Sequence, residues 1–256
     1  AEWQLRHRRR GGKDERGIQP PLYSVAQALA SLKLLRPVRY GQPEKTAENV
    51  NVIYHDAGHI LGSASLEVIV TGEGKPRRLV FSGDLGMSDR PVLCDPSPSP
   101  AEADVLLIES TYGDRLHRSL PETEDEIVAA FERTRAAKGN LIIPAFAVGR
   151  TQEIIYMLAD LVRRKRLSPL KVYVDSPMAN SATRITLANQ DLLDPETREL
   201  IAWLKAHPKQ MSLELVADVE RSIALNDIRS GAVIISASGM CEAGRIKYHL
   251  RENLPR

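Results

Sequence analysis

From residue 119 onward, short apolar runs alternate with stretches of helical periodicity, and this rhythm constrains the fold more than any other feature of the chain. Leu141 to Phe146, Lys171 to Val174, Leu213 to Val216 and Ala232 to Ser236 read as strands. The last, AVIIS, is apolar at successive positions, as a strand covered on both faces requires. Helical segments lie between them. Ser119 and Glu122 have capping-box spacing, and Pro121 falls in the first turn. Ile127, Val128 and Phe131 share one helical face, and Gly139 is placed to end that helix. Ile154, Ile155, Leu158, Leu161 and Val162 form a second apolar stripe. Asp194-Pro195-Glu196 opens another helix, closed by Pro208, and helices are expected over 218–230 and 240–253. Strands alternating with helices give a mostly parallel sheet with helices on both faces, an α/β fold.

The preceding part differs. Residues 24–36 have helical spacing, with Ser24 as cap, Val25, Leu29, Leu32 and Leu35 as stripe and Pro37 as stop. A strand begins at Asn51. Leu66, Val68 and Val70 alternate in another, and the turn TGEGKPRR links it to Leu79–Ser82 as a hairpin. DVLLI, residues 104–108, is a continuous apolar run expected to be covered on both faces. The Pro/Ser-rich DPSPSPAEA connects them. The pattern divides the chain into 1–118, strand-rich, and 119–256, βα-repeating. The basic run RHRRRGGKDER at 6–16 reads as a solvated loop or frayed end, with an anion-binding patch as the alternative.

A length of 256 residues suffices for one large or two ordinary domains. Net charge is +2, which neither demands nor excludes a polyanionic partner. Cys94 and Cys241 form no CxxC pair, so a cysteine zinc site or disulfide scaffold is not expected and a reducing, cytoplasmic setting fits. No apolar run is long enough to span a bilayer, so no membrane association is expected. The chain starts at Ala1 and ends at Leu254-Pro255-Arg256, which reads as an internal fragment, a trimmed chain being the alternative.

Three segments share one form: an apolar strand ends and a Gly-containing turn presents a side chain able to bind metal or move protons. They are YHDAGHILGS with His59, VFSGDLG with Asp84 and LLIESTYGD with Glu109. Strand ends are where rigid elements hold free loops. Imidazole and carboxylate suit Zn²⁺, and carboxylate can bridge two ions. Each residue also has an ordinary reading: a structural His, a turn Asp, a helix-start Glu. His55 and His59 are i and i+4, but the stretch reads as strand and loop, so His55 is read as structural. Two strand-to-helix turns suit phosphate: Phe146–Gln152 with Arg150, and Ser236-Ala237-Ser238-Gly239-Met240. Ordinary capping is the alternative for both.

Six motifs occur in order: DAGHILGSAS at 56–65, FSGDLG at 81–86, ESTYGDR at 109–115, PAFAVGRTQE at 144–153, VDSPMA at 174–179 and SASGMCEAGR at 236–245. From about residue 20 onward the chain resembles the β-CASP family of metallo-β-lactamase-fold nucleases, related to the endonuclease subunit of the mRNA cleavage and polyadenylation machinery. The resemblance implies a partial metallo-β-lactamase αβ/βα sandwich at 1–118 plus a β-CASP domain at 119–256. It implies two zinc ions as cofactor and RNA, or single-stranded DNA, as substrate, cleaved by a metal-bound hydroxide. It further implies metal ligation by His59 and Asp84, with Asp84 bridging and catalytic, and support of proton transfer by Glu109. Arg150, Ser236, Ser238 and Gly239 are expected on substrate phosphates, and a homodimer is one expected assembly. The family's upstream HxHxDH motif is absent, as are its two later His motifs; His249 in IKYHLREN matches neither. The complete chemistry is therefore expected of a longer parent, and this chain alone is expected to be inactive. A non-catalytic RNA-processing scaffold and a small-molecule metallo-hydrolase are the competing readings.

Overall fold

The computed structural model describes residues 22–98 and 102–254; the basic run at 6–16 lies outside them. The chain divides into two compact units, Ala1–Arg39 and Tyr40–Arg256. Within the first, helix α1 spans Val25–Ser31, and a 3-10 turn over Leu32–Leu34 replaces its expected last turn. Ser24 and Gln27 close a capping box. Its stripe of Val25, Leu29, Leu32 and Leu35 is exposed rather than packed.

The larger unit begins with a five-stranded sheet in sequential order: β1 (Pro43–Ala47), β2 (Val50–Asp56), β3 (Ala64–Val70), β4 (Arg77–Phe81) and β5 (Val105–Leu107). The β3–β4 hairpin pairs antiparallel as expected, and β5 joins β4 in parallel. Strand β5 departs from its expected burial. Val105, Leu106, Leu107 and Ile108 are each 47–62% exposed. The run is an edge strand, and the described residues cover neither of its faces. One polar cluster is built into this sheet: Glu67, almost buried, takes His55 Nε2 at 2.9 Å and Arg78 Nε at 2.8 Å. His55 is thus held on the sheet as a structural partner.

After β5 the chain becomes βα-repeating. Helix α2 (Leu120–Ala136) starts with the Ser119–Glu122 capping box. The left-handed residue that ends it is Lys138, not Gly139; Gly139 N–H instead caps Thr134 O. Then follow β6 (Leu141–Pro144), α3 (Arg150–Arg163), β7 (Leu170–Asp175), α4 (Pro177–Ala188), α5 (Pro195–Ala206), β8 (Met211–Leu215), α6 (Val219–Ala224), β9 (Ala232–Ser236) and α7 (Ile246–Asn253). Helix α4 is an addition to the sequence reading, although Ser176 and Pro177 supply a cap and an N1 proline. The four strands are all parallel in the order β6-β9-β7-β8. Strand β9 is central and buried at every residue, as AVIIS requires. Val172, Val233 and Ile235 pack on one face with Leu158, Leu161, Val162 and Leu200. Ala232 and Ile234 pack on the other with Val216 and Leu225. The parallel α/β sheet with covered faces follows from this division.

Candidate metal and phosphate site

The DAGH and GDLG loops follow β2 and β4 and are locked together through their backbones. Gly86 N–H donates to Ala57 O at 2.7 Å. A Cβ on Gly86 would lie 2.0 Å from Gly58 O, so only glycine allows this approach. Gly58 has φ +61° and faces Pro96, where a Cβ would lie 2.8 Å from the proline nitrogen. Ser63 Oγ accepts from the backbone N–H groups of His59 and Ile60, shaping the turn that carries the imidazole.

This stitching brings His59 and Asp84 together. His59 Nε2 lies 4.0 Å from Asp84 Oδ2, and both side chains open to solvent, Asp84 at 80%. Two donors on one tetrahedral zinc, each at about 2.0–2.2 Å, stand roughly 3.4 Å apart, so at 4.0 Å the pair lies a little wide of a shared ion, within reach of a small side-chain rotation. The donor set is small: among the described residues no three His, Cys, Asp or Glu side chains form a group that could hold a metal. The pair fits as part of a metal site, with room for further donors on the exposed side.

Glu109 holds the second loop. Its Oε1 accepts from Leu85 N–H at 2.8 Å, and its own N–H donates to Ser82 Oγ at 2.9 Å. The Leu85 bond, helped by Thr111 and by the nearby His59, keeps its carboxyl below the usual glutamate range. Glu109 is therefore an ionised acceptor at neutral pH. It can orient a loop or a protonated partner, and it holds no proton to give.

The phosphate candidates sit at the C-terminal edge of the parallel sheet. Strands β6 and β9 are direct neighbours, with Pro144 opposite Ser236, so their turns share an edge. A Cβ on Gly239 would lie 3.2 Å from Phe146, and one on Gly149 would lie 3.1 Å from Ile60 Cγ2. Gly149 precedes Arg150 and Ile60 follows His59, so the arginine turn abuts the histidine turn. Arg150 is exposed at the start of α3, and its Nη1 pairs with Glu153 at 2.6 Å.

Two details of the second turn correct the sequence reading. Helix α7 starts at Ile246, with Arg245 at its cap, so residues 240–245 are loop and no helix N-terminus points out at Ser236–Gly239. Ser236 is buried, and its hydroxyl donates to Asp175 O, so it cannot reach a phosphate. Ser238 is part of the loop, with its N–H directed at Ala243 O.

Sequence reasoning passed over the group beneath that turn. Asp175 ends β7 fully buried and accepts from three side chains at 2.6 Å: His249 Nε2, Ser222 Oγ and Arg245 Nη1. Burial alone would raise its pKa; the His249, Ser222 and Arg245 bonds outweigh burial and hold it below the usual aspartate value. His249 Nδ1 lies 3.1 Å from Asn226 Oδ1. The signal was present in two quoted motifs, an Asp closing a buried strand in VDSPMA and the Arg of SASGMCEAGR, which are brought together only by the strand order.

The structure thus sets a strand-end His/Asp pair beside a parallel α/β sheet whose edge turns carry an arginine. Residues 151–256 match the Beta-Casp domain. The chain is 36% identical to "Ribonuclease TTHA0252" of Thermus thermophilus over 237 residues, covering 93% of this chain and 53% of that protein. It is 27% identical to an "RNase J-like protein" of Methanocaldococcus jannaschii, over 89% of this chain and 51% of that one. It is 25% identical to "Endoribonuclease YSH1" of Yarrowia lipolytica, over 88% of this chain and 26% of that one. Residues 151–256 are thus a Beta-Casp domain, and the chain as a whole is similar to nucleases of the β-CASP metallo-β-lactamase-fold family. It spans about half the length of the first two of these relatives.

Proposed function

We propose that this chain is a piece of a zinc-dependent ribonuclease that hydrolyses RNA phosphodiester bonds. The observation that carries the reading is the convergence of His59 and Asp84, 4.0 Å apart on two loops locked by the Gly58–Gly86 contact. Residues up to about 118 then form part of a metallo-β-lactamase-like domain, and 119–256 the β-CASP-like domain.

In this reading His59 and Asp84 hold zinc, which supplies positive charge to a phosphate oxygen and acidifies water near neutral pH. Asp84 is open to solvent on its loop and so accessible for that task. Glu109 keeps the Asp84 loop in register through Leu85 N–H, and as a carboxylate it can orient an imidazolium that protonates the leaving oxygen. Arg150, one turn away across the Gly149–Ile60 contact, would clamp a flanking phosphate after exchanging Glu153 for it. Ser238 and Gly239 line the same edge, Gly239 packed closely on Phe146 of the arginine turn. Single-stranded DNA shares the phosphate chemistry and is the second substrate of this reading.

Two observations support a longer parent. The relatives are about twice as long, and β5 with the Ile108 that follows it leaves four consecutive large apolar side chains exposed. Burying a side chain of that size contributes about 1.5–3 kcal/mol, so further polypeptide that covers β5 is expected to stabilise it strongly. Two donors alone fall short of the usual three for an open zinc site. This chain by itself is therefore expected to be inactive.

The test is Asp84→Ala in the longer protein, assayed for RNA cleavage at matched zinc. Loss of cleavage with an intact fold is expected. A variant that keeps near-normal cleavage overturns the assignment.

A further inference from the structure

Away from the candidate site, three helices on one side of the parallel sheet fail to close on one another. Helix α3 presents Gln152, Ile155, Tyr156 and Ala159, α4 presents Thr183, Thr186 and Leu187, and α5 presents Thr197, Leu200, Ile201 and Leu204. Each set recurs at three- and four-residue spacing, so each is one helix face. Together with Val92, Leu193 and Leu213 they line a cavity of about 230 Å³. An apolar cavity of about 150 Å³ is enough to admit benzene.

The lining is chemically specific. Most of its polar groups have partners: Gln152 Nε2 donates to Ala147 O and Thr183 Oγ1, Thr186 Oγ1 donates to Ala182 O, and Thr197 Oγ1 takes Val92 N–H and donates to Asp194, which leaves the Tyr156 hydroxyl as a further polar group of the wall. What the wall exposes to the cavity is almost wholly apolar, as a ring or short chain requires. One cation stands at the rim. Lys205, exposed, lies one helical turn beyond Ile201, and among the described residues it has no ion-pair partner.

We propose that this cavity is a binding site for a small amphiphile with an apolar ring or short chain and an anionic head. The apolar part fills the space between α3, α4 and α5, and Lys205 meets the head at the rim. The site lies behind the proposed phosphate edge and is physically tied to it. Gln152, on the cavity wall, donates to Ala147 in the turn that carries Arg150. Ligand packed against Gln152 therefore bears on that turn without touching RNA. The proposal stands independently of the nuclease reading, because its readout is binding to this chain.

The experiment titrates the chain with 3-phenylpropionate, 3-phenylpropylammonium and n-propylbenzene, followed by NMR and calorimetry. Saturable binding is expected for the acid and the hydrocarbon, with the amine at least tenfold weaker than the acid. Ala159→Leu, which fills the cavity from α3, should remove binding of all three. Thr186→Leu fills it from α4 and serves where the first variant does not fold. Lys205→Ala should abolish the preference for acid over amine and leave the hydrocarbon unaffected. Absence of saturable binding, unchanged binding in a folded cavity-filling variant, or equal affinity for acid and amine would overturn the proposal.

Discussion

Asp175→Ala should be among the most damaging single substitutions in the parallel-sheet half. The carboxylate is fully buried and accepts from His249, Ser222 and Arg245, each at 2.6 Å. Removing it strands a guanidinium and a buried imidazole. Breaking one side of a buried ion pair costs about 3–5 kcal/mol. Arg245 is one-fifth exposed and keeps a bond to Ala217 O, which places the expected loss in the lower half of that range. Asp175→Asn preserves the shape and part of the hydrogen bonding, and should cost about 1–3 kcal/mol. Urea unfolding followed by circular dichroism measures both. The pH dependence has a definite sign. The folded carboxyl titrates below its unfolded value of about 3.9, so its contribution is complete above that pH and fades as pH falls through the lower folded value. The gap between wild type and Asp175→Asn should therefore narrow only in acid. A loss under about 1 kcal/mol for Asp175→Ala would refute the view that this network supports the turn after β9.

Three further outcomes are expected. Ile235→Ala, in the fully buried central strand, should lose about 2–5 kcal/mol in the same assay. Gly86→Ala should separate the two loops, seen as faster amide exchange at Gly86, whose N–H bonds Ala57 O, while residues 170–175 keep their protection. Glu109→Gln weakens the acceptor for Leu85 N–H. In the wild type its contribution to loop order is complete above the ordinary glutamate value and lost as pH falls through the lower folded one, readable as exchange at Leu85.

Where local pattern decides structure, the sequence was legible. The buried run AVIIS, the Ser119 capping box and the Asp194-Pro195 start all carry their physics within a few residues. Burial of DVLLI was not legible here, because coverage depends on what lies beside an edge strand rather than on the strand. The start of α7 was misplaced because the residues of SGMCEAG carry no cap signal that outweighs their helical spacing; Gly244, at φ +79°, and the Arg245–Asp175 bond hold that loop open. His59, Asp84 and Glu109 were visible as side chains after strands. Their mutual geometry was not, since it rests on Gly58 and Gly86 meeting across 28 residues of chain. The Asp175 group needed the crossed strand order β6-β9-β7-β8, which no local pattern encodes.

Zinc titration of this chain followed by histidine ring NMR tests most directly whether His59 and Asp84 share a metal. Two ligands predict weak binding, well below one tightly held zinc per chain after dialysis. On titration the His59 ring signals should shift before those of buried His249, and Asp84→Ala should weaken that response several-fold. A His59 ring unmoved at saturating zinc, or one that responds equally in Asp84→Ala, would contradict the account.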